Sequence, residues 1–331
     1  MIQRASLYKA ILHAARLGVS RSAPFRYLRN WLRLPGLSPD PSANLSIEGT
    51  IEYGHETAIS EGCNIIVPPN ATLRLGNGCH IGRYVELGPS GVIEIGENTS
   101  IQDRSILVGD VFLGRNCMLS LNVLMTSGVH YYDRWPHLLI RDQDRMVFAD
   151  PKHAVQHSQP ITIEEDCWIG VNAVVMPGVT VGRGCVVGSN AVVTCDLPPY
   201  SVAAGVPARI IKQRLSFAPP KSIEWRDEKQ YPYFYSGFEL AQSEREKNYR
   251  EGGHIARGRF ALWLDCSGAK EICLTVRSLK GEKLVLQHGS VCVQLFDDWH
   301  DCRFPVEAGS EPAWFLTGEK KGIVIREARV E

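Results

Sequence analysis

The stretch that decides the fold runs from Ile163 to Gly182 and reads Ile163-Glu-Glu-Asp-Cys-Trp-Ile-Gly-Val-Asn-Ala-Val-Val-Met-Pro-Gly-Val-Thr-Val-Gly182. An aliphatic residue returns at every sixth position of it, at Ile163, Ile169, Val175 and Val181. Helices have a period of about 3.6 residues and strands a period of about two, so this step fits neither a long helix nor a hairpin sheet. It is typical of a hexapeptide β-helix, in which each repeat contributes a short strand and a turn.

The same step continues on both sides of this stretch. Downstream it reaches Val187 and Val193, and upstream it occupies two runs, Leu75, Ile81, Leu87 and then Ile95, Ile101, Leu107, Leu113, Leu119, Met125. A single repeat cannot bury its apolar face alone, so the repeats must stack into coils that share one core. The sequence therefore predicts a mainly β protein built around a β-helix.

Half of the cysteines follow the repeat. Each lies four residues after a periodic aliphatic, in a slot that elsewhere holds Ser, Ala or Val: Cys63, Cys79, Cys117, Cys167 and Cys185. The pattern predicts small core residues rather than nucleophiles or metal ligands. Free thiols favour a reducing compartment, so we expect a cytoplasmic protein.

Composition excludes several classes of protein. The 331 residues carry 36 basic and 36 acidic side chains, so whole-molecule attraction to nucleic acid is not expected. No apolar run approaches the roughly 18 residues of a membrane-spanning helix. The segment 1–40 has only basic charges before Asp40 and an amphipathic helical spacing. Two interpretations stay open for it: a helix at the inner face of an anionic membrane, or a helical cap on the next domain.

Residues 45–215 resemble the hexapeptide-repeat acyltransferase family. The resemblance rests on the run quoted above and on Ala203-Ala-Gly-Val-Pro-Ala-Arg-Ile-Ile-Lys212. Within the family, this region is similar to the sugar O-acetyltransferase branch, which includes the galactoside and maltose enzymes. It implies a left-handed parallel β-helix, a homotrimer with active sites between subunits, and acetyl-CoA as co-substrate without a metal. The implied acceptor is a hydroxyl of a sugar: a surface-polysaccharide or lipid-linked glycan, or a nucleotide-sugar precursor.

The repeat breaks once, over 126–160, which predicts an extended functional loop. The resemblance implies a catalytic His just after such a broken coil, and His130 holds that position. A neutral imidazole has the right basicity to accept the proton of a sugar hydroxyl during direct transfer in a ternary complex. Asp133, Gln102 and Asp103 are the candidates to orient it. His137, His153 and His157 lie in the same loop, and His153 or His157 is the alternative base. The expected acceptor-binding residues are Gln102, Asp103, Asn122 and Trp135.

The resemblance also implies where coenzyme A binds. The matching positions are Trp168, Val171, Ser189, Thr194, Cys195, Arg209 and Lys212. Trp168 would form a wall for the pantetheine arm, while Arg209 and Lys212 would meet the phosphates. Cys195 stands where relatives commonly carry Lys, which removes one cation. Near Ser100 the galactoside enzymes carry Asn, so the acceptor's identity stays open.

Three other functions are compatible with parts of this sequence. A non-catalytic β-helix scaffold would need neither Trp168 nor a His at the coil break. An acyltransferase that acts on an amine, or that transfers a longer chain to a nucleotide sugar, would share the repeat. Metal-dependent hydrolysis would need a close His pair, a spacing that His80, His130, His153 and His157 do not give cleanly.

The composition changes after residue 215. Residues 216–255 read as a linker rich in Pro and aromatics followed by a helix, and 256–331 contain six short β-type runs separated by turn signals. We expect a small antiparallel, sandwich-like C-terminal domain. Its Trp263, Trp299 and Trp314 form either part of its core or a sugar-stacking face.

Overall fold

In a computed structural model of the protein, the described residues are 34, 37, 39–149, 159–215, 217–240, 244–279, 283–306, 312–318 and 322–331. The chain divides into two compact units, residues 1–216 and residues 217–331. The basic helices predicted for the segment 1–40 lie outside the described residues. None of the described helices has the length and apolarity needed to cross a bilayer.

The first unit is a parallel β-helix with three faces. The first face contains β1 (Asn44–Ile47), β4 (Asn64–Val67), β7 (Glu86–Ile95), β9 (Ile106–Leu113), β11 (Leu124–Thr126), β14 (Val174–Val175) and β17 (Val192–Val193). The second contains β2 (Thr50–Tyr53), β5 (Thr72–Leu75), the far halves of β7 and β9, β12 (Ile161–Ile163) and β15 (Thr180–Val181). The third contains β3 (Ala58–Ile59), β6 (His80–Ile81), β8 (Ser100–Ile101), β10 (Met118–Leu119), β13 (Trp168–Ile169), β16 (Val186–Val187), β18 (Ser201–Ala204) and the antiparallel closing strand β19 (Arg209–Gln213).

The periodic aliphatics form the core of this unit, as predicted. Every one of them from Leu75 to Val193 is at most 3% exposed. Alternate side chains of each strand point inward and outward, so a six-residue repeat delivers one buried aliphatic to each face. Asparagines stabilise one corner: Asn122 Nδ2 donates to Asn172 Oδ1 (3.0 Å), and Asn172 Nδ2 donates to Asn190 Oδ1 (3.1 Å). All three adopt φ near 57°, a left-handed conformation that Asn tolerates.

The five repeat cysteines are buried small core residues, which confirms the prediction. Each thiol donates to a backbone carbonyl of the following coil, as Cys63 does to Gly82 O (2.9 Å) and Cys185 to Pro198 O (3.1 Å). Burial raises the pKa of Cys185 to about 11. The thiolate is the nucleophilic form, so these side chains are suited to packing and not to catalysis.

The second unit is built on one antiparallel sheet. Its strands are β20 (Ser222–Glu224), β21 (Ser236–Phe238), β22 (His254–Leu262), β23 (Glu271–Ser278), β24 (Leu284–His288), β25 (Val291–Leu295), β26 (His300–Pro305), β27 (Ala313–Thr317) and β28 (Gly322–Val330). Seven of them follow the order β25-β24-β27-β22-β28-β23-β26, while β20 pairs with β28 and β21 pairs with β22. The six predicted runs each overlap a strand, and all nine strands are hydrogen-bonded into one continuous sheet. Phe234, Phe260, Phe304 and Phe315 are fully buried in its core.

The segment predicted as a linker and helix, 216–255, belongs from residue 217 onward to this second unit. The reason is that β20 and β21 pair with the sheet and Phe234 fills its core. A 3₁₀ helix spans Glu228–Tyr233, and helix α2 spans Arg245–Glu251. Gly252 ends α2 in the left-handed conformation (φ 73°), with its N–H donating to Asn248 O.

Candidate active site

The break in the repeat is an insertion between two coils that remain in register. On the first face, Leu124 pairs with Val174, 50 residues later, whereas Ile106 pairs with Leu124 and Val174 with Val192 after only 18 residues each. The two ends of the inserted segment meet, because Gln159 N donates to Ser127 O (3.0 Å). The predicted extended loop therefore leaves and re-enters the β-helix at one point.

The described part of the loop is organised by a buried glutamine. Helix α1 spans Ile140–Ala149 and buries Gln143 and Val147. The Gln143 Oε1 accepts from Trp135 N (2.9 Å), and its Nε2 donates to Tyr132 O and Leu138 O (3.2 Å each). One side chain thus ties three backbone groups of the preceding segment to α1. This segment carries His130.

His130 is held by an aspartate of α1. The Asp144 carboxylate lies with Oδ2 2.8 Å from His130 Nδ1, and its Oδ1 accepts from Tyr131 N (2.9 Å). The Asp144 side chain is only 15% exposed, whereas that of His130 is 80% exposed. A rigid, largely buried carboxylate therefore orients an accessible imidazole.

This arrangement fixes the chemistry available to the ring. An ionised carboxylate only accepts hydrogen bonds, so Nδ1 must carry the proton that it shares with Asp144. The other nitrogen, Nε2, then has its lone pair free to accept a proton from solvent or substrate. If Nε2 becomes protonated, the adjacent carboxylate stabilises the imidazolium. The pair therefore has the properties of a general base, His130, and of a carboxylate that orients it, Asp144.

None of the residues predicted to orient His130 has a hydrogen bond to it among the described residues. Asp133 is exposed in the loop, and within the described ranges no hydrogen bond joins it to His130. Asp103 accepts from both the backbone N and Nε of Arg83 (2.9 Å each), and the backbone bond is the main cause that lowers its pKa. Gln102 is exposed beside β8. The structure thus assigns the orienting contact to Asp144 rather than to Asp133, Gln102 or Asp103.

The expected acceptor-binding residues lie on adjacent coils and in the inserted loop: Asn122 N donates to Asp103 O (3.0 Å), and Trp135 belongs to the loop. Both polar atoms of the Asn122 amide are already hydrogen-bonded. Its Nδ2 donates to Asn172 Oδ1, as described above, and its Oδ1 accepts from Arg104 Nε (3.1 Å). Trp135 is half-buried in the loop, with the Arg134 guanidinium 5.5 Å from its ring. In the described part of the chain, no hydrogen bond connects either residue to His130.

Trp168 lies on an apolar strip of the third face. It is 48% exposed, and its register partners on either side are Met118, which is 55% exposed, and Val186. Its Nε1 donates to Ser120 Oγ (3.0 Å), a bond that fixes the direction of the indole. An exposed apolar strip with a fixed aromatic ring can bind an extended aliphatic arm.

The other predicted donor-site residues lie on the last coils. Ser189, Thr194, Cys195, Arg209 and Lys212 are exposed and Val171 is half-buried. Arg209 and Lys212 both belong to β19, the edge strand of the third face. No carboxylate pairs with either of them among the described residues, so both cations are available to an anionic ligand.

Sequence reasoning missed Asp144. The reason is that α1 is short and mostly polar: one of its two buried residues is Gln143, and its exposed residues include Ile140, Met146 and Phe148. The signal that existed was local, an uninterrupted run of helix-compatible residues from Ile140 to Ala149 inside a non-periodic loop.

Comparison with known proteins identifies the repeat. Residues 160–195 match the family model of the hexapeptide repeat of succinyl-transferase. The chain contains a hexapeptide-repeat domain. Its similarity to two curated proteins is substantial: it is 32% identical over 154 residues to the galactoside O-acetyltransferase of Escherichia coli and 37% identical over 115 residues to a chloramphenicol acetyltransferase of Escherichia coli.

These matches fall on part of each protein. They cover 46% and 33% of this chain, and 62% and 54% of the two relatives, so the chain spans less than two thirds of their length. A crystal structure of a maltose O-acetyltransferase from Clostridium difficile 630 is 20% identical, with a TM-score of 0.30, and covers 53% of this chain and 72% of that one.

Proposed function

We propose that this protein is an acetyl-CoA-dependent O-acetyltransferase that transfers an acetyl group to a hydroxyl of a sugar. The observation that carries the proposal is the His130–Asp144 pair, 2.8 Å apart, on the loop inserted into a hexapeptide-repeat domain. The names of both curated relatives include acetyltransferase, which supports the reaction class.

The reaction proceeds by direct transfer. Nε2 of His130 accepts the hydroxyl proton as the hydroxyl oxygen attacks the thioester carbonyl carbon. Asp144 stabilises the imidazolium that forms, in the way a buried carboxylate supports the base of hydrolytic triads. The tetrahedral intermediate collapses, the carbon–sulfur bond breaks, and Nε2 returns the proton to the departing coenzyme A thiolate. Atoms and charges balance without a metal or a covalent enzyme intermediate.

The donor binds along the third face and the last coils. The pantetheine arm packs on the strip of Met118, Trp168 and Val186, whose exposed apolar surface it would remove from water. The phosphates meet Arg209 and Lys212, which have no carboxylate partner in the described chain. Val171, Ser189, Thr194 and Cys195 lie on neighbouring turns and let the arm approach the backbone.

The acceptor is proposed to be a sugar because one relative is named for a galactoside. The other is named for chloramphenicol, so the acceptors in the names of these relatives differ. We assign the choice of acceptor to the inserted loop, which carries Trp135 and His130. The glycan classes implied by the resemblance are a surface polysaccharide, a lipid-linked glycan and a nucleotide sugar.

The test is an acetyl-transfer assay with acetyl-CoA and a panel of sugars that starts with β-galactosides, read by free thiol release and by product mass. The wild-type protein should acetylate at least one sugar, and His130→Gln should abolish turnover without changing acetyl-CoA affinity. The matched control is His137→Gln, because His137 is exposed in the same loop and should tolerate the change. Equal turnover of wild type and His130→Gln would refute the proposed base.

We further propose a homotrimer with active sites between subunits and a cytoplasmic location, with the basic segment 1–40 at the inner face of the membrane. The ten free cysteines support the reducing compartment. Analytical ultracentrifugation tests the trimer, and flotation with anionic vesicles, with and without residues 1–40, tests the membrane contact. A monomeric protein with full activity would exclude a shared active site.

A further inference from the structure

We propose that the second unit binds an acidic glycan in a groove beside the end of β20, where β20 pairs with β28. The groove is a cavity of about 320 Å³ lined by Glu224, Trp225, Arg226, Arg326 and Glu327. The two strands run antiparallel, with Glu224 opposite Glu327 and Trp225 N donating to Arg326 O (3.0 Å). Its walls are therefore fixed by sheet hydrogen bonds. Ligand cavities commonly begin at about 300 Å³, so the groove is large enough for a single sugar unit.

Two arginines in this groove are held for anion binding. The guanidinium of Arg326 stacks 4.0 Å from the ring of Trp299, and its Nε donates to Gly252 O (3.4 Å). The guanidinium of Arg226 lies 5.2 Å from the ring of Trp225. Stacking on an indole occupies the face of a guanidinium and leaves most of its in-plane N–H donors free.

Neither arginine is neutralised by the protein. Among the residues that the structure describes, no carboxylate lies within ion-pair distance of Arg226 or Arg326, although most arginines of this unit have such a partner. Glu327, the neighbour of Arg326, pairs instead with Arg329 (3.4 Å). Two ordered, uncompensated guanidiniums in one cavity are the arrangement that recognises a carboxylate or a phosphate.

Glu224 distinguishes a sugar from a simple anion. Its carboxylate has no side-chain partner in the described chain, and it lines the same groove. A carboxylate repels a bare anion but accepts hydrogen bonds from hydroxyl groups. Guanidiniums for an acidic group, together with a carboxylate for hydroxyls, fit a sugar that carries both, such as a uronic or sialic acid unit. This binding does not depend on the proposed transferase activity.

The experiment measures binding of the full-length protein by calorimetry. The probes are oligogalacturonate, oligosialic acid, neutral maltoheptaose and inorganic phosphate. We expect at least one acidic oligosaccharide to bind and maltoheptaose and phosphate not to bind. Arg226→Gln and Arg326→Gln should each weaken binding at least about tenfold, because each removes charge-assisted hydrogen bonds. Glu224→Ala should also weaken it.

The matched control is Arg259→Gln. Arg259 is likewise exposed and stacked 4.0 Å from a tryptophan, Trp314, but it does not line the groove. The affinity of this variant for the acidic oligosaccharide should stay within twofold of the wild-type value. Thermal unfolding should establish that all variants are folded. The proposal is overturned if no acidic oligosaccharide binds, if phosphate binds as well as they do, if Glu224→Ala tightens binding, or if the groove and control variants behave alike.

Discussion

Replacing Asp144 with Asn tests the proposed dyad most directly. Tyr131 N–H must still find an oxygen at the Oδ1 position, so the new amide NH2 turns toward His130 Nδ1. Nδ1 then becomes the acceptor and Nε2 carries the proton, which makes the ring unable to act as a base. Turning the amide round would keep a bond to His130 Nδ1–H but leave the Tyr131 N–H facing the new NH2 group, an unsatisfied donor that costs about 2 kcal/mol. The lost carboxylate removes roughly 2 kcal/mol more of imidazolium stabilisation.

The sum, about 4 kcal/mol, corresponds to a fall in kcat of about 10³-fold. The assay is acetyl transfer at saturating acetyl-CoA, combined with ¹⁵N NMR of the His130 ring, which reports directly which nitrogen is protonated. The control is Asp133→Asn, which should retain kcat within about twofold, because Asp133 makes no hydrogen bond to His130 in the described chain. A folded Asp144→Asn variant within tenfold of wild type would refute the dyad.

Three further predictions concern the donor site and stability. Trp168→Ala should raise the Kd of acetyl-CoA about tenfold with little change in Tm, because the ring is half exposed; an unchanged Kd in calorimetry would move the donor elsewhere. Burial lowers the pKa of His254 to about 4, against 6.5 for the ordinary group. Between pH 6.5 and 4 the imidazole is therefore protonated in the unfolded chain but not in the folded protein. The free energy of unfolding should fall as the pH falls through this range. The loss should approach 3 kcal/mol in urea titrations and should be absent in His254→Gln. Gly114→Ala should lower the free energy of unfolding by about 2–4 kcal/mol, because the new Cβ would lie 2.5 Å from Glu165 N. Gly88→Ala is the control: its Cβ would meet only a side-chain methyl at 3.7 Å, so the same urea titration should show almost no change.

The β-helix could be predicted from the sequence because its rule is local and repeated. Each coil meets the same requirement, one buried aliphatic per face and a small residue at the corner, so the pattern recurs often enough to exclude other periods. The thiol of Cys117 illustrates this, since its place in the repeat predicts burial and the structure has it donating to Glu164 O across the inserted loop.

The second unit and the orienting residue obey no repeating rule. Strand β26 (His300–Pro305) has only two buried residues, Cys302 and Phe304, and a strand this short is placed by its pairing with β23. Phe234 reads as part of an aromatic linker because its partner strands come later in the chain. Asp144 meets His130 through the path of one loop, and Gln143 sets that path through contacts with three separate backbone groups. Such long-range contacts leave no periodic signal in the sequence.

The meeting of Ser127 with Gln159 has a consequence for how such proteins diversify. Because the inserted segment departs and returns at the same point, its length and sequence can change without shifting the stacking of any coil. The β-helix therefore receives the segment at one point, and the segment is an exchangeable part that carries the proposed base, His130, and the carboxylate that contacts it. On the proposed function, replacing residues 128–158 should change the acceptor while the proposed donor surface stays intact.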